Sequence, residues 1–230
     1  MILFCLDTSG PVAGVALMED GAVRYEAMTV NAMTHSQSIL PMAEEAYRRA
    51  GLEMQKTDWF AVTVGPGSFT GVRIGVSTVK GLAHALDRPC IPVDALEALS
   101  VSAGDFEGAV CPIQDARAGQ VYGAAFRREE RLTGDAPMKL EEYLSTVETL
   151  GNRFLFIGDG VTVHREAISR RLGDKAEFAP PFRCFLRPSA AGSIALSRGT
   201  ETDYLGLQAT YLRPPNAQKN KKLLEAMGHE

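Results

Sequence analysis

The sequence lacks the residues on which several common classes of protein depend. Its four cysteines are scattered and form no CxxC pair, so we expect buried free thiols in a reducing compartment and no structural zinc site. Its 28 acidic side chains outnumber its 24 lysines and arginines, for a formal net charge of -4. This balance argues against a protein that binds nucleic acid by itself. A basic leader and a long apolar run are also missing, so we expect a cytoplasmic protein without a membrane span.

Signatures of metal and phosphate chemistry are scarce too. The four histidines form no pair at the spacing that metal ligands need, and the phosphate loop GxxxxGK[ST] is absent. What the chain does have is 45% hydrophobic residues over 230 positions. That content is enough to bury one large core or two smaller ones.

The most informative segment lies between residues 59 and 86. A hydrophobic strand (59–64) leads into a glycine-proline turn and then into a long helix that begins near Ser68. Gly65 and Gly67 permit backbone angles and close approaches that a side chain would forbid, and Ser68 or Thr70 caps the helix. The free amides at such a helix start commonly face a phosphate.

A second turn of this kind follows the first strand, where Asp7 begins a polar segment that leads to another strand. Actin-like and sugar-kinase-like ATPases open with the same strand, acidic turn and strand, in which the acid holds a metal and the turn faces phosphate. The candidates for a weak or vestigial nucleotide cleft are therefore Asp7, Thr8, Ser9, Gly67 and Ser68. Turns in the second half of the chain are expected to line the same cleft, at Asp115, Arg117, Gly158, Asp159 and Gly160. The alternative is that these residues only satisfy the backbone of their own turns.

Hydrophobic periodicity predicts a similar order of elements in both halves of the chain. For the first half it predicts strands at 2–7, 13–18 and 23–29, a helix from about 34 to 50, a strand at 59–64, a helix at 68–86 and a strand at 89–93. For the second half it predicts strands at 109–114 and 120–126, a weak strand near Arg131, a helix at 140–150, a strand at 154–158, a helix at 161–172, a strand at 176–178 and a helix at 189–198. This order predicts an α/β protein with two mixed sheets that are flanked by helices and face a cleft. That is the duplicated ribonuclease H-like fold of the actin-like and Hsp70-like ATPases, the ASKHA fold.

The boundary between the halves is expected between residues 95 and 109, where two glycines interrupt the pattern. The chain is thereby divided into an N-terminal subdomain, 1–100, and a C-terminal subdomain, 101–230. The last segment of the second subdomain is expected to pack back on the first. Its basic end, 213–230, is interpreted as a solvated tail rather than a tRNA contact.

Six short motifs give the chain a specific resemblance to a known family. They are LDTS at 6–9, HSQSILPM at 35–42, GPGSFTGVRIG at 65–75, KGLA at 80–83, DARAGQVYG at 115–123 and YLR at 211–213. With these motifs the chain closely resembles the bacterial TsaB (YeaZ) family along nearly its whole length. The resemblance implies a subunit of the machinery that adds threonylcarbamoyl to N6 of adenosine 37 (t6A) in tRNAs that read codons beginning with A.

The resemblance also implies partners. TsaB proteins act with TsaD, a catalytic paralogue, and with the ATPase TsaE, and they form a homodimer when TsaD is missing. The implied role is a non-catalytic dimerisation and activating subunit that reaches tRNA only through the complex. We expect no cofactor in the isolated chain, and we assign ATP bound in the complex to the partners.

The sequence separates this chain from the catalytic paralogue. The metal-binding helix of TsaD has the pattern V-N-H-M-E-G-H, whose two histidines lie one helical turn apart on one face. In this chain Ala95 and Leu99 occupy those two positions. We therefore expect neither a metal site of that kind nor a catalytic residue.

A rival hypothesis remains from a different class, a free-standing enzyme of the same fold. It would be either a small-molecule kinase or a glycoprotease-like metallopeptidase. The missing histidine pair argues against the peptidase. A kinase needs a base placed to take a proton from a substrate hydroxyl, and Asp7 alone does not identify one.

A partner-binding surface is predicted on the two long helices of the first half. Gly67, Gly71 and Gly75 recur every four residues, so another helix could approach their backbone closely. The family resemblance places TsaD or a second TsaB there, and Arg73 is expected to pair across the interface. The alternative is that the ridge packs on the neighbouring helix of the same chain. The predicted interface comprises His35, Ile39, Met42, Gly67, Gly71, Val72, Arg73, Gly75, Val76 and Val79.

Overall fold

The computed structural model describes residues 1–30 and 34–212. Its first half forms a five-stranded sheet in the order β3-β2-β1-β4-β5. The strands are β1 (Ile2–Asp7), β2 (Ala13–Glu19), β3 (Ala22–Thr29), β4 (Trp59–Gly65) and β5 (Cys90–Asp94). Strands β1, β2 and β3 pair antiparallel, whereas β4 pairs parallel with both β1 and β5. The helices of this half are α1 (His35–Ala50), α2 (Phe69–Leu86) and α3 (Ala95–Ser102).

The second half forms a separate seven-stranded sheet, with the order β10-β7-β6-β11-β12 and the short β8 and β9 paired beside β6. Its strands are β6 (Ala109–Asp115), β7 (Gln120–Gly123), β8 (Phe126–Arg127), β9 (Glu130–Arg131), β10 (Ala136–Lys139), β11 (Phe154–Ile157) and β12 (Ala176–Phe178). Its helices are α4 (Leu140–Glu148), α5 (Gly160–Leu172) and α6 (Pro188–Arg198). Two mixed sheets flanked by helices are thus present, as predicted.

The helices and sheets pack in layers, which are defined by the contacts of their buried side chains. Successive residues of a strand point to opposite faces, and β1 follows this rule: Phe4 and Leu6 join a core with α1 and α2, while Leu3 and Cys5 face α3 and α6. Helix α3 also packs on β6, and Val110 and Ile157 of the second sheet belong to the same buried cluster, so this layer lies between the two sheets. The outer face of the second sheet is covered by α4 and α5.

Helix α6 belongs by sequence to the second half but packs on the first sheet. A Cβ built on Gly192 would lie 2.4 Å from Met18 Sδ and 2.9 Å from Cys5 Sγ, so the helix backbone touches the sheet directly. Glu26 of β3 accepts a hydrogen bond from the Ser189 amide (2.9 Å) and is paired with Arg187. A bridge between Cys90 and Thr202 then joins the following segment to the edge strand β5.

Helix α3 was not predicted by periodicity and lies at the start of the stretch, 95–109, in which the boundary between the halves was expected. The carboxylate of Asp94 caps the helix by accepting from the Glu97 amide at 2.7 Å, a favoured N-cap arrangement. Six of its eight residues are buried, so the helix lacks the polar face by which hydrophobic periodicity identifies a helix. Strand β10 was also missed. None of the helices formed by residues 1–30 and 34–212 is both long enough and apolar enough to cross a membrane.

Candidate functional site: a cleft between the sheets and a groove on the outer helices

A polar cleft of about 470 Å³ opens between the two sheets. It lies where the turns after β1, β4 and β6 come together, which is the edge where open α/β sheets usually bind ligands. Its walls are formed by Ser9, Gly10, Pro11, His35, Gly67, Ser68, Phe69, Thr70, Gln114, Asp115, Ala116, Arg117, Tyr122 and Asp159. Of the predicted nucleotide-site residues, Ser9, Gly67 and Ser68 therefore line the cleft.

Asp7 and Thr8 do not line it. Both side chains are buried, and Asp7 Oδ1 accepts hydrogen bonds from the Ser9 amide (3.0 Å), the Ser9 hydroxyl (2.7 Å) and the Thr63 hydroxyl. Burial raises the pKa of Asp7, although these hydrogen bonds oppose the shift. Thr8 Oγ1 donates to the Gly71 carbonyl at 2.8 Å. The turn after β1 thus uses these polar groups to hold itself and the start of α2.

The start of α2 is packed directly on this turn. A Cβ on Gly67 would lie 2.3 Å from the Ser9 carbonyl oxygen, and the Ser68 amide donates to that oxygen at 2.7 Å. Gly67 also has a φ of +157°, and the preceding Gly65 has a φ of +115°, which side chains rarely adopt. The glycines of the predicted phosphate turn therefore bring two pieces of backbone together.

A metal-bound nucleotide, which the fold class implies, does not fit these residues well. The acid that should hold the metal is already engaged by three donors of the protein. Among the residues with described positions, no group of three His, Cys, Asp or Glu side chains could hold a metal ion.

The wall formed by the second half carries the carboxyl groups of Asp115 and Asp159, and buried His164 lies near Asp115. Burial raises the pKa of Asp159 to about 6, and the negative charge of Asp115 adds to this, while hydrogen bonds from backbone amides oppose it. His164 Nε2 lies 4.0 Å from Asp115 Oδ1. Gln114, which is 5% exposed, directs its Nε2 towards Ser9 Oγ at 3.5 Å. Of the second-half residues expected at the cleft, Asp115, Arg117 and Asp159 line it, and Gly158 and Gly160 do not. Gln114 and His164 were not predicted, because strand-end and helical polar residues usually have a purely structural role.

The glycine ridge of α2 faces inward, which corrects the prediction that it is a docking surface. A Cβ on Gly71 would lie 2.0 Å from the Thr8 carbonyl oxygen, and a Cβ on Gly75 would lie 2.5 Å from Thr8 Oγ1 and 3.0 Å from Leu6 Cδ2. The ridge packs on β1 and its turn, and not on α1 as the alternative supposed. The predicted interface residues that are buried with it in the core of the first sheet are Ile39, Val72, Val76 and Val79.

The outer face shared by α1 and α2 is open and carries a shallow groove of about 420 Å³. Leu40 on this face is 52% exposed. Partly buried Ile74 and exposed Ser77 of α2 also line the groove. The groove is lined by Ser36, Ile39, Leu40, Phe69, Thr70, Arg73, Ile74, Ser77 and Thr78. Of the predicted interface, His35 and Met42 are half-buried and Arg73 is exposed.

Arg73 has intramolecular contacts that the sequence did not predict. Its Cζ lies 3.8 Å from the centre of the Phe69 ring, and its Nε donates to Tyr211 Oη at 2.8 Å. Tyr211 is 138 residues away along the chain. Arg73 therefore has packing partners within the chain, and its expected pairing across an interface stays a prediction.

The positions that correspond to the metal ligands of the paralogue lie on α3. Ala95 is fully buried and Leu99 is 2% exposed, and both pack in the core between the sheets. Leu99 also limits the space beside Gly158, where a Cβ would lie 2.9 Å from Leu99 Cδ2.

Comparisons with known proteins agree with this architecture. The TsaB protein of Bacillus subtilis, a tRNA threonylcarbamoyladenosine biosynthesis protein, is 31% identical over 222 residues, which are 95% of this chain and 96% of that protein. YeaZ from Pseudomonas aeruginosa superposes with a TM-score of 0.74 at 26% identity, over 92% of this chain and 99% of that one. The activator of 2-hydroxyisocaproyl-CoA dehydratase from Clostridium difficile, with bound ADPNP, has a TM-score of 0.51 at 12% identity, over 85% of this chain and 93% of that one. This last likeness concerns the fold alone, and the predicted ASKHA fold is confirmed.

The family model of TsaD, tRNA N6-adenosine threonylcarbamoyltransferase, matches residues 29–197. TsaD and TsaB are related in sequence, so the full-length relatives decide between them. Since the match to a TsaB protein extends over 95% of the chain, the chain belongs to the TsaB (YeaZ) family within the group that the TsaD family model describes.

Proposed function

We propose that this chain is a non-catalytic subunit of the cytoplasmic machinery that makes threonylcarbamoyladenosine (t6A) at position 37 of tRNA. It binds the catalytic paralogue TsaD through the groove between α1 and α2, and it acts together with the ATPase TsaE. The observation that carries the proposal is this open, partly apolar groove. Residues 1–30 and 34–212 also contain no group of three His, Cys, Asp or Glu side chains that could hold a metal ion.

The groove has the composition expected of a helix-docking surface. Leu40 and Ile74 provide apolar area, and hydroxyl groups and Arg73 surround it. Burying one exposed leucine side chain is worth about 2 kcal/mol, and apolar residues at the centre of a patch commonly dominate binding. A partner that supplies two helices would complete a four-helix arrangement over α1 and α2.

The other expected partners follow from the groove, from Asp7 and from the net charge. Without TsaD, two copies of the chain pack groove against groove about a two-fold axis, so the contact is self-complementary. ATP in the assembled complex belongs to the partners, because Asp7 is engaged inside this protein. The formal net charge of -4 leaves tRNA binding to the complex as a whole.

The test is Leu40→Glu, which places a charge in the groove without touching the core. We expect affinity for purified TsaD to fall by about a hundredfold, since burying an unpaired carboxylate costs several kcal/mol. t6A formation in a reconstituted system should fall with it, while the melting temperature of the isolated chain stays within about 2 °C. The matched control is Val163→Glu on α5, where a similarly exposed apolar residue (61%) lies in the second half of the chain.

Three outcomes would contradict the proposal. Leu40→Glu could bind TsaD as tightly as the wild type, or Val163→Glu could lose binding equally. Alternatively, t6A formation could proceed at full rate with the chain omitted. A chain that modifies tRNA without TsaD would instead support the rival hypothesis of a free-standing enzyme.

A further inference from the structure

Arg73 stands at the edge of the α1–α2 groove with its guanidinium held in a fixed position. The group lies over the Phe69 ring at 3.8 Å and within 5.3 Å of the centre of the Tyr211 ring. The two rings are themselves in contact, with centres 5.0 Å apart. The Nε hydrogen is used by Tyr211 Oη at 2.8 Å. Stacking on an aromatic face is a common arrangement for arginine and leaves its terminal nitrogens free to bind an anion.

Tyr211 is itself anchored to the first sheet. The preceding residue, Thr210, donates its amide to the Val64 carbonyl at the end of β4, at 2.7 Å. Leu207, slightly earlier, is fully buried in the core beneath α2. Arg73 is thus positioned by a helix on one side and by a core-anchored segment on the other. A side chain held in this way loses little conformational freedom when it binds a partner.

The charge of Arg73 has no acidic partner among residues 1–30 and 34–212, since its contacts there are the Phe69 and Tyr211 rings and the Tyr211 hydroxyl. This differs from many arginines of the chain, such as Arg131 and Arg187, which are paired with carboxylates. A protein that covered the groove would take water away from this guanidinium. An unpaired charge at an interface is costly, so the covering surface must compensate it.

We propose that Arg73 is a preorganised anchor that receives a carboxylate of the docked TsaD protein, and that Phe69 and Tyr211 are its positioning residues. The inference rests on the proposed function, because it names the chemistry that the partner brings to the groove. The partner surface is an apolar helix face flanked by an aspartate or glutamate. Arginine suits this role because its planar donors match a carboxylate with two hydrogen bonds.

The experiment compares Arg73→Met with Arg73→Lys. Both variants keep an unbranched stem over Phe69, but only the lysine keeps the charge. Binding of purified TsaD is measured at about 0.05 M and about 0.5 M salt, because a charged pair at the rim of an interface is screened by salt. At low salt we expect Arg73→Met to bind about tenfold more weakly and to lose most of the salt dependence of the wild type. Arg73→Lys should bind about threefold more weakly and keep the salt dependence.

Tyr211→Phe tests the positioning role, since it removes only the hydroxyl that accepts from Nε. We expect about threefold weaker binding, an unchanged melting temperature and a retained salt dependence. The inference is wrong if Arg73→Met binds with wild-type affinity and wild-type salt dependence while Leu40→Glu fails to bind, because the groove would then dock a partner without using this charge. It is also wrong if Arg73→Met and Arg73→Lys weaken binding equally at both salt concentrations. If Leu40→Glu itself binds normally, the proposed function fails instead.

Discussion

The inward packing of the α2 glycines gives a direct test through the stability of the fold. Gly71→Ala adds one methyl group at a point where the Thr8 carbonyl oxygen would be 2.0 Å away. The turn that carries this oxygen is held by the bonds from Thr8 Oγ1 to the Gly71 carbonyl and from the Ser68 amide to the Ser9 carbonyl. Helix α2 and the turn after β1 must therefore move apart by roughly an ångström, and the close packing around both segments resists this movement.

The expected magnitude follows from three opposing contributions. Overpacking against backbone costs about 1 to 3 kcal/mol, and weakening the buried hydrogen bond of Thr8 costs about 1 kcal/mol more. Replacing glycine by alanine inside a helix returns about 1 kcal/mol. We expect the free energy of unfolding to fall by about 1 to 3 kcal/mol, and the melting temperature to fall by about 2 to 12 °C for a chain of this size.

Gly81→Ala is the matched control on the same helix. A Cβ there meets nothing within 4 Å and the residue is exposed, so only the helix-propensity gain of about 0.5 to 1 kcal/mol remains. Urea denaturation and thermal melting of both variants decide the question. The inward placement is refuted if Gly71→Ala is at least as stable as Gly81→Ala. A Gly71→Ala variant that melts like the wild type and loses only TsaD binding would show that the ridge is a docking surface after all.

Two further predictions concern the cleft wall and α3. Because burial raises the pKa of Asp159 from 3.8 to about 6, its contribution to stability is fully present below pH 3.8 and is lost as the pH rises through 6. The difference in stability between Asp159→Asn and the wild type should therefore shift in favour of the variant as the pH rises from 4 to 7, by up to about 3 kcal/mol. Denaturation of both proteins at pH 4 and at pH 7 measures this difference, and the same difference at the two pH values would contradict the prediction. With Ala95 and Leu99 at the ligand positions, the purified chain should contain no stoichiometric iron or zinc and show no peptidase activity. Elemental analysis of the purified chain tests the metal content, with TsaD purified in the same way as the comparison. One tightly bound metal ion per chain would contradict the prediction.

The order of most elements could be predicted because their patterns are local. Helix α1 has its predicted extent, since Gly51 adopts a left-handed conformation with a φ of +66° and ends it. Strand β1 is covered on both faces and reads as a continuous apolar run. Helix α3 escaped prediction because it is enclosed between two sheets, and burial on nearly all sides removes the polar stripe by which a helix is recognised.

The site was less predictable because its contacts join residues that are distant in the chain. The hydrogen bond from Thr63 to Asp7 spans 56 positions, and the one from Arg73 to Tyr211 spans 138. A sequence shows that Asp7 lies at the end of a strand, but it does not show that the Thr63 hydroxyl of the neighbouring parallel strand β4 donates to its carboxylate. The alternative, that these residues satisfy the backbone of their own turn, describes the bond from the Ser9 amide to Asp7 but not Thr8, whose hydroxyl donates to the Gly71 carbonyl of α2.

The two faces of α2 explain why a glycine pattern alone could not locate the partner surface. Glycines spaced four apart indicate that some backbone approaches the helix closely, but the spacing is the same whether that backbone belongs to the chain or to a partner. In this protein the close neighbour is the turn after β1. The residues between the glycines, Arg73 and Ile74, are rotated by about 100° per position and so reach the open groove. Close packing of the inner face thus fixes the helix rigidly on the sheet, and that rigidity is what allows the outer face to present a preformed surface to a partner.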